Sequence, residues 1–567
     1  MKNAPPLSAL FVALLLVGCS GSRPATTPTT PDTTTASAPA ASDTTSETTS
    51  ETADAPPAPE RAPQDWYHLD RVPRSGPGLD TRAAYQTVLR DRAPRDTVQV
   101  AIIDSGLDLD HEDLSAETWT NADERPNNGV DDDGNGYVDD VHGWNFIGGP
   151  DGKNVNQDTY ELTRIYVDLR ERFADVDSAA VAPDERDQYE RYQEIKRTFQ
   201  EKRREARKRL TGVRKAQKAV QASVDVLKTH LDTDSLTPSA VRSVSSPRQD
   251  VRRAQQTLQY FYDQDLAPSD LADYKDQLAR QVEYNYNPDF NPRPIVGDDY
   301  ADKTERRYGN SDAEGPDPGH GTHVAGIVGA TRANTVGIDG IARGVRLMSV
   351  RAVPNGDERD KDVANAIRYA VDNGADVINM SFGKAYSPHK DVVDAAVQYA
   401  DSMGVLMVHA AGNDGANVDS TNNFPSPYYD GGGRAQRWIE VGASSWKGGK
   451  KLAAPFSNYG EERVDVFAPG HSIYSTVPGN AYKRNDGTSM AAPMVSGLAA
   501  LIMAHYPSLS ATDVRTIILN TATPHRDQLV TRPGDSKSVP FGTLSDTGAI
   551  VNAPAALRRA DERTAAR

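Results

Sequence analysis

The sequence predicts an α/β protein of three layers, in which a parallel sheet is covered on both faces by helices. Apolar runs that end at small or polar residues alternate with helical segments that end at glycine. The runs are almost continuously apolar, as strands buried on both faces are. Glycine is the usual residue just past a helix end. Functional side chains of such a fold gather at the carboxyl ends of the strands.

The N-terminus has the features of an export signal. Lys2 precedes an apolar segment, Leu7 to Val17, that is too short to span a bilayer and fits the core of a signal peptide. The only cysteine, Cys19, follows in "LVGC", which resembles the lipobox of bacterial lipoproteins. The resemblance implies a lipoprotein signal peptide at 1–18 and a lipid-modified Cys19 that attaches the protein to a membrane. An ordinary secretory signal with an incidental cysteine is the alternative.

Residues 19–62 are rich in Thr, Ser, Pro and Ala, and too few apolar side chains are present to offset the entropy of ordering. We therefore expect a disordered tether, in a protein of the bacterial cell envelope that is lipid-anchored and faces the periplasm or exterior. A net charge of −17 argues against nucleic acid as a partner. With no second cysteine, the exported domain contains no internal disulfide.

The folded part begins at residue 63. Residues 63–155 and 313–555 carry the predicted strands, residues 156–312 form an insertion between them, and residues 556–567 form a polar tail. The six strand-like runs are "TVQVAIID", "VRLMSVRAV", "ADVINMSFG", "VLMVHAAGN", "WIEVGASS" and "VDVFAPG". Between some of them lie helical patterns such as "KDVANAIRYAVDNG" and "HKDVVDAAVQYADSMG".

Three motifs carry the chemistry. "VAIIDSG" ends a predicted strand at Asp104, "GHGTHVAGIVGA" places His320 at a small apolar helix, and "NDGTSMAAPMV" places Ser489 at the start of an apolar helix. A serine becomes a good nucleophile only when a base removes its proton, and that base needs a third group to orient it. Taken singly, the three residues are better explained as a turn residue (Asp104), a core histidine (His320) and a helix cap (Ser489). An aspartic protease is excluded, because Asp-Ser-Gly occurs once.

Together, in the order Asp, His, Ser, these motifs resemble the subtilisin-like serine proteases, or subtilases. The resemblance implies that Ser489 is the nucleophile, His320 the general base and then acid, and Asp104 the group that orients the imidazole. "HAAGND" resembles the oxyanion segment of the family, which implies that the Asn413 amide and the Ser489 backbone N–H bind the oxyanion. The expected chemistry uses no catalytic metal.

"INMSFG" resembles the strand that pairs with the substrate backbone in this family. The resemblance implies a substrate-binding role for Ser381, Phe382 and Gly383. A buried strand with no further role would explain the apolar residues, but not the turn to Ser-Phe-Gly. The nearby His323 is expected to pack or hydrogen-bond inside its helix.

An acidic segment, "NNGVDDDGNGYVDDVHGWNF", offers a metal site. Oxygen ligands stand at alternating positions, much as in the first nine positions of an EF-hand loop. Position twelve is His142 rather than glutamate, so this is not an EF-hand. We predict a structural calcium ion, because dense carboxylates and turn glycines suit it; a solvated acidic turn is the alternative. The predicted ligands are Asp131, Asp133, Asn135, Tyr137 (through its carbonyl) and Asp139.

A long insertion, residues 156–312, separates Asp104 from His320. Apolar residues at three- and four-residue steps predict helices that form a hairpin or small bundle near the rim of the site. The basic run "EKRREARKRL" is a candidate surface for a protein partner, although its glutamates favour a solvated helix face.

These features predict a membrane-anchored serine endopeptidase that hydrolyses peptide bonds in protein or peptide substrates through an acyl-enzyme. The alternative is a catalytically silent lipoprotein that uses the fold and the insertion as a binding scaffold.

Overall fold

The computed structural model describes residues 61–70, 76–263 and 268–566. The predicted signal peptide, Cys19 and almost all of the predicted tether lie outside the described residues. Within them, the predicted α/β fold is confirmed: a nine-stranded, mostly parallel sheet is flanked by helices.

Thirteen strands occur in the described part of the chain. In order they are β1 (Val98–Asp104), β2 (Gly143–Asn145), β3 (Val345–Arg351), β4 (Val377–Met380), β5 (Leu406–Ala410), β6 (Trp438–Ser445), β7 (Val466–His471), β8 (Ile473–Val477), β9 (Ala481–Asn485), β10 (Thr523–Pro524), β11 (Leu529–Thr531), β12 (Ser538–Pro540) and β13 (Ala549–Ile550). The large sheet has the order β10-β13-β7-β6-β5-β4-β1-β3-β2, and only the β10–β13 pair is antiparallel. The six predicted apolar strands are β1 and β3 to β7.

The α-helices are α1 (Thr81–Ala83), α2 (Glu161–Phe173), α3 (Arg186–Leu231), α4 (Pro238–Arg242), α5 (Gln249–Asp263), α6 (Pro268–Arg280), α7 (Gly319–Gly329), α8 (Asp360–Asp372), α9 (Lys390–Met403), α10 (Thr488–His505), α11 (Ala511–Thr521) and α12 (Ala553–Ala565). Short 3₁₀ helices lie at Trp66–His68, Ser115–Glu117, Ser178–Ala180, Pro183–Glu185, Arg293–Ile295, Gly449–Lys451 and Phe541–Thr543, and π-helical turns at Ala84–Val88 and Gln281–Asn285.

Alternate residues of β1 enter two different cores. Val100 and Ile102 pack on the face that α7 and α10 cover, whereas Ala101 and Ile103 pack on the face that α8 and α9 cover. All four side chains are fully buried. The period-2 alternation of a strand therefore builds both halves of the three-layer structure, and β1 is an interior strand, between β3 and β4.

Helix α10 is apolar on every side. Among the described residues it is the one helix long and apolar enough to cross a membrane, and all of it is buried inside the fold. A helix that is apolar all round is expected at the centre of a large core. Here it contacts β4 to β7 and α7, so Ser489 near its start is held rigidly.

The insertion is largely helical. Helix α3 contains 46 residues, about 69 Å of helix at 1.5 Å per residue. Its C-terminal half packs with α5 and α6 around an apolar cluster of their own. Its N-terminal half packs against α2 and Tyr386 of the main fold.

The C-terminal segment differs from the prediction. Residues 556–565, expected to be a polar tail, lie in α12, which buries Ala556, Leu557 and Ala560.

Candidate active site

Asp104 and His320 meet at the carboxyl end of β1. The Asp104 carboxylate is buried, and its Oδ1 accepts hydrogen bonds from His320 Nδ1 at 2.7 Å and from the Ser105 backbone N–H at 2.8 Å. The His320 side chain, in the first turn of α7, is 14% exposed. This contact holds the imidazole with Nε2 turned away from the carboxylate, as a general base requires.

Glycine at position 321 permits this contact. A Cβ at this residue would lie 2.2 Å from the Gly106 carbonyl oxygen and 3.2 Å from Asp104 Cβ. Any side chain would therefore push the start of α7 away from the end of β1.

Ser489 is the second residue of α10 and is almost completely buried. Its hydroxyl donates to the Ser381 carbonyl at 3.0 Å, and in return the Ser381 hydroxyl donates to the Ser489 carbonyl at 2.9 Å. Within the described residues, the Ser489 hydroxyl makes no hydrogen bond to His320. The structure thus brings Asp104 to His320 and Ser489 to Ser381, but gives no hydrogen bond between the two pairs.

Pro493 explains why the Ser489 carbonyl needs Ser381. Inside a helix, the N–H of residue 493 would donate to the carbonyl of residue 489, but proline has no N–H. The Ser381 hydroxyl takes its place. Ser381 is in turn fixed by Asn379, whose Nδ2 donates to Ser381 Oγ at 2.9 Å.

Asn413 lies beside the start of α10. Its Oδ1 accepts from the backbone N–H of Thr488 at 2.8 Å and from the Thr488 hydroxyl at 3.1 Å. Its Nδ2 and the Ser489 backbone N each lie 3.5 Å from the point that a Cβ at Gly487 would occupy. Two hydrogen-bond donors therefore converge on one space, which the absence of a side chain at Gly487 keeps open.

The predicted substrate-binding residues follow β4 directly. Phe382 is buried, with its ring edge-on to His409 at 6.4 Å between centroids. A Cβ at Gly383 would lie 2.5 Å from Asn423 Oδ1. Ser381 to Gly383 thus form a tightly packed wall next to Ser489.

His323 has a structural role. Its Nε2 lies 3.1 Å from both the Ile473 and the Lys483 carbonyl oxygens, so this nitrogen carries the proton. The ring is fully buried, and burial lowers the pKa of His323 to about 3. Neutral His323 therefore connects α7 to the β8–β9 hairpin.

The acidic segment forms a carboxylate cluster that differs from the predicted ligand set. Ligand atoms of Glu124, Asp133 and Asp140 lie within 4.8 Å of one another, a group that could hold a metal ion. Asp133 is the one residue that this cluster shares with the prediction. Sequence spacing missed Glu124 because it precedes the acidic run. It also missed Asp140, which is completely buried.

The other predicted ligands have different contacts. Asp139 accepts hydrogen bonds from the backbone N–H groups of residues 128 and 129. Asn135 Nδ2 donates to Asp133 and Asp140, and its Oδ1 accepts from the Tyr137 backbone N–H. Asp131 binds the residue 136 backbone N–H through Oδ2, while its buried Oδ1 has no hydrogen-bond partner among the described residues.

The cluster fits a hard cation. Its donors are carboxylate oxygens, the ligand type that calcium prefers. Burial raises the pKa of Asp140 to about 6, although hydrogen bonds from Tyr369 and Asn121 act in the opposite direction. A bound cation would remove the cost of holding these carboxylates together.

Comparison with known proteins gives one consistent result. The model of the subtilase family (peptidase S8) matches residues 95–542, more than half of the chain. A thermophilic serine proteinase from Bacillus sp. (strain AK1) is 43% identical over 222 residues, 39% of this chain and 49% of the relative. Subtilisin DY from Bacillus licheniformis is 41% identical over 207 residues, 36% of this chain and 70% of the relative. The chain thus spans about half the length of the first of these relatives.

Among solved structures, a protease from Pseudoalteromonas arctica PAMC 21717 matches with 29% identity. The match covers 44% of this chain and 78% of that one, with a TM-score of 0.36.

Proposed function

Because this chain belongs to the subtilase family, we propose that it is a serine endopeptidase that hydrolyses peptide bonds with Asp104, His320 and Ser489. The observation that carries the proposal is the 2.7 Å contact between His320 and a buried Asp104 at the carboxyl end of β1. Such a contact fixes the imidazole tautomer and stabilises the imidazolium that forms when His320 takes the serine proton.

The free enzyme has to reorient its nucleophile. An extended peptide that pairs with Ser381 to Gly383 would offer a backbone N–H to the Ser381 carbonyl, the group that now accepts from Ser489 Oγ. Substrate binding would release the hydroxyl, which then turns toward His320 Nε2. His320 takes the proton as Ser489 Oγ attacks the scissile carbonyl, and later gives it to the leaving amine.

The tetrahedral oxyanion is proposed to lie in the space beside Gly487, where the Asn413 amide and the Ser489 N–H converge. The start of α10 adds the positive end of its dipole there. Collapse of this intermediate gives an acyl-enzyme on Ser489, which water hydrolyses with His320 again as base.

Fluorophosphonate labelling and peptide hydrolysis test the proposal. The wild-type protein should hydrolyse an unfolded protein substrate and react with the probe. Ser489→Ala should neither hydrolyse the substrate nor react with the probe. Ser402→Ala, which alters an exposed serine at the end of α9, should retain both activities. A wild-type protein that reacts with neither probe nor substrate would favour the silent scaffold.

We propose that the cluster of Glu124, Asp133 and Asp140 holds calcium and stabilises the loop between β1 and β2. Chelation with EDTA should lower the melting temperature of the inactive Ser489→Ala protein, in which the cluster is intact, and calcium should restore it. In Asp133→Asn the melting temperature should be lower at the outset and less sensitive to EDTA. An identical response of both proteins would contradict the assignment.

We propose that Cys19 is lipid-modified and that the protein is anchored in the bacterial cell envelope, on the periplasmic or exterior side. The support is the position of the only cysteine directly after an apolar signal segment. The wild-type protein should partition into detergent, and Cys19→Ser should remain in the aqueous phase.

We propose that the insertion carries the surface for a protein partner, on the exposed face of α3. Arg197, Arg204, Lys208 and Lys215 are exposed and follow one another at steps of 7, 4 and 7 residues, which places them along one side of the helix. The buried residues lie on the opposite side. An acidic partner fits this stripe. Polyglutamate should bind the wild-type protein, and added salt should weaken the binding. A variant with all four residues changed to glutamine should not bind polyglutamate.

A further inference from the structure

The insertion contacts the predicted substrate-binding wall through one buried ion pair. Lys384, the residue after Ser381 to Gly383, extends its Nζ to Glu161 Oε2 at 2.8 Å. Glu161 is the first residue of α2, in the insertion. The two side chains are 2% and 3% exposed, and 223 residues separate them in sequence.

The Lys384 ammonium is held on three sides. Besides Glu161 it contacts Asp360 Oδ1 at 2.7 Å and the Glu358 carbonyl at 2.8 Å. The backbone of Lys384 forms a pair of hydrogen bonds with Phe424. Since three hydrogen-bond acceptors surround the ammonium and the backbone is also fixed, Lys384 has little freedom to move.

Glu161 is also held by Arg164, whose Nη2 donates to the same Oε2 at 2.6 Å and whose Nε donates to Oε1 at 3.2 Å. Arg164 also donates to the carbonyls of Asp357 and Glu358. Burial acts to raise the pKa of Glu161, but the charges of Arg164 and Lys384 outweigh it and hold that pKa well below its usual range. Glu161 is therefore ionised at neutral pH.

We propose that Glu161 is a positioning residue for the reaction: through Lys384 it fixes the segment Ser381 to Gly383 against which an extended peptide binds. One end of this segment is held by the paired hydrogen bonds of Ser381 and Ser489, and the other end by Lys384. If Glu161 is neutralised, Lys384 keeps Asp360 and the Glu358 carbonyl but loses one of its two charged partners, so the far end of the wall is held less firmly. This inference rests on the proposed peptidase function and assigns the insertion a part in it.

The role requires an effect that depends on substrate length. A small fluorophosphonate reacts with Ser489 and needs little of the wall, whereas a tetrapeptide amide lies along it. Misplacement of a binding segment by about 1 Å costs up to about 100-fold in rate. Glu161→Gln should therefore lower kcat/KM for a tetrapeptide amide by about 10- to 100-fold, mainly through KM, and leave the rate of fluorophosphonate labelling within about twofold.

Glu205→Gln is the matched control. It makes the same chemical change in the same insertion, but Glu205 pairs with Arg209 within α3, away from Lys384 in sequence and with the side chains 43% and 40% exposed. It should retain both rates. If Glu161→Gln does not fold, Lys384→Arg tests the same link, because it keeps the charge and alters the geometry, and the same selective loss is expected.

Three results are informative. A loss for the tetrapeptide without a loss of labelling supports the inference. Equal losses in both assays, or values equal to those of Glu205→Gln, overturn it while the peptidase function stands. If the wild-type protein itself neither labels nor cleaves, the peptidase function fails, and this inference fails with it.

Discussion

The reciprocal hydrogen bonds of Ser381 and Ser489 predict a large stability cost for Ser381→Ala. Ser381 is 1% exposed, and its hydroxyl both donates to the Ser489 carbonyl and accepts from Asn379 Nδ2. The alanine variant leaves these two partners buried without a hydrogen bond. Since each unsatisfied buried group costs about 1–3 kcal/mol, and since some relaxation is expected, we predict a loss of about 2–4 kcal/mol in the free energy of unfolding.

The effect is measured by chemical denaturation in the Ser489→Ala background, because an inactive protein does not digest itself. Ser402→Ala is the control: it removes an exposed hydroxyl that donates to a local helix carbonyl at 2.7 Å, and its free energy of unfolding should change by no more than about 0.5 kcal/mol. A loss below about 1 kcal/mol for Ser381→Ala would refute the reasoning, since it would mean that the Ser489 carbonyl does not depend on Ser381.

Three further predictions concern the site and its surroundings. Asn413→Ala should lower kcat by about 100- to 1000-fold, because it removes one of two converging donors; a steady-state assay with unchanged kcat would exclude the oxyanion role. Gly487→Ala should lower kcat by at least a similar factor, because its Cβ would occupy the space between those donors; full activity would place the oxyanion elsewhere. His323 is neutral when folded, with a pKa of about 3 against a usual value of 6.5, so the unfolded chain binds a proton that the folded chain does not. The free energy of unfolding should therefore fall as the pH is lowered from about 6.5 toward 3. Between about pH 6 and 5 the wild-type protein should lose roughly 1.4 kcal/mol per pH unit more than His323→Gln. If denaturation gives the same dependence of unfolding free energy on pH for both proteins, the prediction is wrong.

The sequence predicted the central strands well because their burial on both faces leaves a continuous apolar run. β1 and β3 to β7 all come from such runs. It did not reveal β9, whose residues Ala481–Asn485 are largely polar and exposed, or β2, which is three residues long. These strands are set by the neighbours with which they pair, and a single sequence does not show those neighbours.

The site divides in the same way. Asp104 and His320 carry local motifs, and the structure places them in contact. The support that Ser381 gives to Ser489 depends on a hydrogen bond across 108 residues, so no local pattern marks it. The carboxylate cluster shares Asp133 with the predicted ligand set, whereas Glu124 lies before the predicted segment, because the fold of the loop and not the spacing decides which carboxylates come together.

The long separation between Asp104 and His320 has a physical consequence. The insertion is more than a projection from the surface, because its first helix begins with Glu161, which is buried against Lys384 and Arg164. Removing one partner of a buried ion pair typically costs about 3–5 kcal/mol, since the remaining charge is left uncompensated. Deletion of the insertion would leave Arg359 without Asp158, and Lys361 without Asp298 and Glu305, next to and within the first turn of α8. The main fold and the insertion should therefore depend on each other for stability, although α3, α5 and α6 have an apolar core of their own.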